Sequence, residues 1–76
     1  MEIFPGISMD PNIRFGKPCL TRTRIDMATV VGALAAGESF GAVQEAYSLT
    51  GEQILAAVRY AAHVAEHVPS AVKQAS

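Results

Sequence analysis

His63, Glu66 and His67 stand in H-x-x-E-H spacing, which on a helix puts two imidazoles one turn apart with a carboxylate beside them. A zinc hydrolase uses such a trio, two nitrogens holding the ion and a base activating its water. The frame needs a third ligand, and nothing after His67 is Asp, Glu, His or Cys. So short a chain also lacks the material to wall a substrate cleft around an ion. The pair supports no more than capture of a stray ion such as nickel. His67 near a helix C-terminus also has a dipole reason to be there.

Cys19 could act as a nucleophile only beside a base, yet both histidines belong to a distant segment, so it reads as a small buried apolar residue. Gly16-Lys17 is not followed by Ser or Thr and lacks the phosphate-loop frame. No catalytic residue, metal or cofactor is expected, and the chain reads as a non-enzyme.

Charge placement says more. Arg14, Lys17, Arg22 and Arg24 put four of the six basic residues within eleven positions, with no acid among them. If residues 21–24 alternate as a strand, both arginines point one way and both threonines the other. The arginines then form a small phosphate- or carboxylate-binding face. The same pattern also suits an edge strand kept soluble by charge, and both readings stand.

The elements that position these residues follow from composition and period. The chain has 76 residues, net charge −1 and one Cys, and half of it is apolar. That excludes a uniformly basic nucleic-acid coat, a highly charged disordered chain and a disulfide scaffold. Thirteen of the apolar residues are Ala. A core with so few large side chains is marginal alone, and association is the expected support. The start is too short and polar for a signal peptide, and no apolar run nears the roughly 18 residues that span a bilayer. A reducing cytosol, with no membrane partner, is the expected setting.

Residues 1–25 carry three of the four prolines and no helical period. Short apolar pieces at 7–9, 13–15 and 19–20 predict a small hairpin or extended arm. From Asp26, a candidate N-cap, the spacing of Met27, Val30, Val31 and Leu34 predicts a first helix over 27–36 that Gly37 ends. Ser39 caps a shorter second helix with Phe40, Val43, Ala46 and Tyr47 inward. Thr50 and Gln53 have capping-box spacing, and Leu49 with Ile54 can form a hydrophobic staple. The third helix they open runs to Val68, where Pro69 stops it. A mainly α fold results, with an arm over 1–25, a three-helix bundle over 26–68 and a tail over 69–76 that frays.

Ile54, Val58, Ala61, Ala65 and Val68 make one stripe of the third helix, and Leu55, Ala62 and their neighbours spread apolar character around it. A helix so covered is central or lies in a homodimer interface, and Ile54, Leu55, Val58, Ala61, Ala62 and Ala65 are the interface candidates. A tight turn before Thr50 also suits a helix-turn-helix. The tip of its second helix offers Gln53 as the one amide able to read a base, beside Glu52, which repels phosphate.

Asp10-Pro11-Asn12-Ile13, Gly16-Lys17-Pro18-Cys19, Thr23-Arg24-Ile25, residues 34–39, Tyr47-Ser48-Leu49-Thr50 and Ile54-Leu55-Ala56-Ala57 form an ordered series. In order and spacing it resembles the small prokaryotic family known as domain of unknown function 433, with VapB-type antitoxin-like members. Arg22 stands where the family usually has Gly, and Ser48 where it usually has Pro. The resemblance implies a dimeric, homeodomain-like helix-turn-helix, often encoded beside a PIN-like ribonuclease toxin that it neutralises, with operator DNA as a candidate second partner for autoregulation. Two other readings stay open, a DNA-binding module with no toxin and a plain dimeric interaction domain.

Overall fold

The computed structural model describes residues 1–69. Three short strands, β1 (Glu2–Phe4), β2 (Ile7–Ser8) and β3 (Cys19–Leu20), precede three helices, α1 (Met27–Ala35), α2 (Phe40–Tyr47) and α3 (Gly51–Glu66). The strands form an antiparallel sheet in the order β1-β2-β3, with Phe4 opposite Ile7 and Ile7 opposite Leu20. The expectation of a frayed tail falls on residues 70–76, outside the described ones.

Helix boundaries follow their caps. Thr29 donates its backbone N–H to Asp26 Oδ1 at 2.8 Å, and Ala42 does the same to Ser39 Oγ at 3.1 Å. The capping box is closed: Gln53 N–H reaches Thr50 Oγ1 at 3.1 Å, while Thr50 N–H reaches Gln53 Oε1 at 2.8 Å. Gly37 ends α1 at φ +99°, and Ser48 ends α2 at φ +55°, a value no proline can adopt. The third helix stops at Glu66, short of the expected Val68.

Residues 1–25 form the expected short N-terminal β unit, a three-stranded sheet that packs onto the helices through Ile7 and Leu20. Ile7 and Leu20 are enclosed with Val30, Val43 and Ile54, each of which contributes about 1.5–3 kcal/mol by burial. The β1–β2 turn lies directly on α3: a Cβ at Gly6 (φ +84°) would come within 2.7 Å of Ala56 Cβ. Close packing of turn on helix therefore needs glycine there. The piece at 13–15, expected as a strand, is a 3-10 turn (Arg14–Gly16) closed by Gly16 N–H to Ile13 O at 3.1 Å.

One polar group holds this layer to the helices. Asp26 is 5% exposed and accepts from Thr29 N–H, from Thr29 Oγ1 at 2.7 Å and from Arg14 at 3.2 Å. Its backbone bridges to Cys19, and Met27 N–H reaches Pro18 O at 2.9 Å. The Thr29 hydroxyl bond is the largest influence holding the Asp26 carboxyl below the usual range, with the Thr29 amide and Arg14 adding to it against burial. Because the folded pKa is the lower one, this stabilisation is complete above the unfolded value of 3.8 and is lost as pH falls through the folded value. Asp26→Asn keeps a capping residue but removes the charge. It should cost about 1–3 kcal/mol at pH 7 in urea denaturation, and the gap to wild type should close below pH 3.8.

Candidate functional site

The four basic residues at 14–24 are carried by two loops, one between β2 and β3 and one between β3 and α1. The second loop is a turn, which corrects the expected strand alternation over 21–24. Thr23 Oγ1 donates to Leu20 O at 2.8 Å and accepts from Ile25 N–H at 3.1 Å, while Thr21 Oγ1 meets Ser8 Oγ at 2.8 Å. The threonines are drawn inward and Arg22 and Arg24 are left exposed. Arg22 holds φ +63°, a left-handed value that glycine adopts freely and that costs another residue about 1–2 kcal/mol.

The four cations do not act as one set. Arg14 is committed to Asp26 at 3.2 Å, although half of its side chain stays exposed. Lys17 and Arg24 are exposed without an ion pair among the described residues. Arg22 lines an open groove of about 310 Å³ with Pro5, Gly6, Thr21, Glu52, Gln53, Ala56 and Arg59. Arg59, which sequence reasoning did not single out as a site residue, reaches Glu52 at 3.5 Å across two turns of α3.

Gln53 is half-buried, and its Oε1 already accepts from Thr50 N–H. Bidentate reading of an adenine needs the amide oxygen and nitrogen presented together. The closed capping box withholds that oxygen, so Gln53 is a capping residue first. Ile54 is corrected as an interface candidate: it is fully buried among its own chain's core residues and has no surface to offer. Leu55 and Ala61 are half-buried, and Val58, Ala62 and Ala65 are exposed. From Ala62 onward every described residue of α3 is exposed, so the helix is core in its first half and bare in its second.

His63 and His67 do come together, their ring centroids 4.2 Å apart, and His67 Nδ1 lies 2.7 Å from His63 O. The His63 ring also packs against Phe4 at 5.1 Å, extending an aromatic cluster through Tyr60. Among the described residues no third His, Cys, Asp or Glu gathers with them into a metal-binding group. Cys19 is buried, and burial, with the Asp26 charge beside it, pushes its thiol up against the opposing pull of Arg14 and Arg24. A thiol so placed is a poor nucleophile. Among the described residues no helix is long and apolar enough to cross a membrane.

The residue that sequence reasoning missed is Phe15. It is 96% exposed at the tip of the β2–β3 loop and holds φ +57°, between Arg14 at +51° and Gly16 at +83°. An apolar residue between Ile13 and a Gly-Lys-Pro turn reads as the end of a strand, and only the left-handed backbone turns it outward.

A comparison with curated proteins gave no match. Among solved structures, the crystal structure of Rv2018 from Mycobacterium tuberculosis is similar, with a TM-score of 0.62 and 33% identity over 68% of this chain. The match covers 24% of that chain, so this protein spans about a quarter of its length. The profile of the family described as "Protein of unknown function (DUF433)" matches residues 7–61, from β2 through both basic loops and into α3. That stretch is most of the chain, and the protein belongs to the DUF433 family.

Proposed function

We propose that the protein is an antitoxin that dimerises in a reducing cytosol and silences a PIN-like, metal-dependent ribonuclease with its basic loops. The observation that carries the reading is the division of charge. The two loops over 9–26 hold four bases against Asp10 and Asp26, whereas α2, α3 and the turn before α2 hold Glu38, Glu45, Glu52 and Glu66 against Arg59. A nuclease that holds its ions with clustered carboxylates presents the matching acidic surface, and a guanidinium reaching those carboxylates displaces a cation. Arg22 and Arg24 are the side chains for this role, with Lys17 on the preceding loop, because Arg14 is already bound to Asp26.

A second reading, operator DNA binding, draws support from the helix-turn-helix arrangement of α2 and α3 across the left-handed Ser48. Against it, the first turn of α3 carries Glu52 with its side chain 76% exposed, and Gln53 is tied into the cap. Phosphates repel the first, and the second has little left to read a base.

Two experiments test the proposal. With a PIN-like ribonuclease encoded beside the chain as the nuclease, Arg22→Ala combined with Arg24→Ala should restore RNA cleavage that the wild-type chain suppresses. Cleavage still suppressed by that variant contradicts the neutralising role. If DNA is the partner instead, operator affinity falls steeply with salt and Arg24→Ala flattens the slope by about one unit of log K per log salt. Light scattering should give a dimer at micromolar concentration. Val58→Glu should dissociate it by burying an unpaired charge, because Val58 is an interface candidate that the monomer leaves 36% exposed. A wild-type monomer contradicts the dimer.

A further inference from the structure

Phe15 is a large aromatic side chain that its own fold leaves in water, 96% exposed. It also sits in a backbone conformation that disfavours it: at φ +57° a phenylalanine is strained where glycine or asparagine is not. Folding alone would select against both features. The loop is nonetheless closely held. Asp10 Oδ1 accepts from Asn12 N–H at 2.8 Å, Ile13 N–H reaches Asp10 O at 2.9 Å, Lys17 N–H reaches Arg14 O at 3.1 Å, and the Arg14 side chain is fixed to Asp26.

We propose that Phe15 is the apolar anchor of a protein interface, seated in an apolar pocket with an acidic rim on the ribonuclease partner. The identity of that partner rests on the reading given above. An aromatic side chain set out in advance on a fastened loop loses little freedom on docking, which is how interface anchors gain affinity. Lys17, exposed two residues on, with Arg22 and Arg24 exposed on the next loop, sets the sign of the rim: Asp26 is paired with Arg14, which leaves Asp10 as the one acid of these loops set against three cations. Duplex DNA is the poorer fit for a Phe15 wedge. Such a wedge needs cations on both sides to hold the phosphates. Arg14 is spent on Asp26, and residues 38–66 add four glutamates to one arginine.

The test measures binding of the 76-residue chain to a PIN-like ribonuclease encoded beside it, titrated by anisotropy, together with the melting temperature of each variant. Phe15→Asn should weaken binding about 30-fold or more, the level that marks an anchor. Its melting temperature should hold or rise, because asparagine tolerates the left-handed backbone. Phe15→Tyr should bind within a few-fold of wild type. Wild-type affinity in Phe15→Asn overturns the anchor, as does a fall of several degrees in its melting temperature, which would make Phe15 a structural residue. Loss of binding in Arg22→Ala with Arg24→Ala but not in Phe15→Asn sinks the anchor and leaves the neutralising role standing. The reverse pattern keeps the anchor and sinks the role of the arginines. No complex with wild type, or tighter Phe15-dependent binding to a 20-base-pair duplex, overturns both.

Discussion

Everything else in this fold hangs on the buried carboxylate of Asp26. A charge taken out of water is tolerable only when its lone pairs are occupied, and three groups occupy these: the Thr29 amide, the Thr29 hydroxyl and the Arg14 guanidinium. One contact starts α1, and another reaches back to the β2–β3 loop. A capping interaction that would fix only a helix end thus also fixes where the N-terminal layer lies. The consequence for function is a division of labour: Arg14 is structural, and the arginines of the next loop stay free.

Strain is confined to the two basic loops and the end of α2. Arg14, Phe15, Arg22 and Ser48 are the non-glycine residues at positive φ among the described ones, each costing about 1–2 kcal/mol. Such conformations persist where surrounding contacts over-determine them, and here the turn hydrogen bonds and the Asp26 pair do so. The strained positions coincide with the exposed aromatic and with Arg22. The surface that the proposed function uses is therefore also the part of the chain that stability alone would have chosen differently.

The helices were legible because their ends are chemical: Asp26, Ser39 and the Thr50–Gln53 box each announce a start within a few residues of sequence. The sheet was not. Strands of two or three residues have no period to read, and their pairing rests on contacts such as Leu20 with Ile7 that only the folded chain brings together. Ile54 shows a different limit. Periodicity says that a face is covered without saying whether the cover is the chain's own core or a second copy. At the site, the outward turn of Arg22 and Arg24 was legible from the alternating threonines, though through turn bonds and not a strand. Phe15 was hidden because a left-handed backbone at a non-glycine residue leaves no trace in composition.

The loops bearing Phe15 and the arginines are exposed at their tips but fastened to the core through β3, Asp26 and the turn hydrogen bonds. Native-state hydrogen exchange at residue resolution tests this fastening most directly. The amides of Leu20, Thr21 and Met27, which bond to Ile25, Gly6 and Pro18, should exchange with the same opening free energy as those of Ile54 and Ala57 in α3. Exchange of the first set through low-energy local opening, while α3 stays protected to the global limit, would contradict the account.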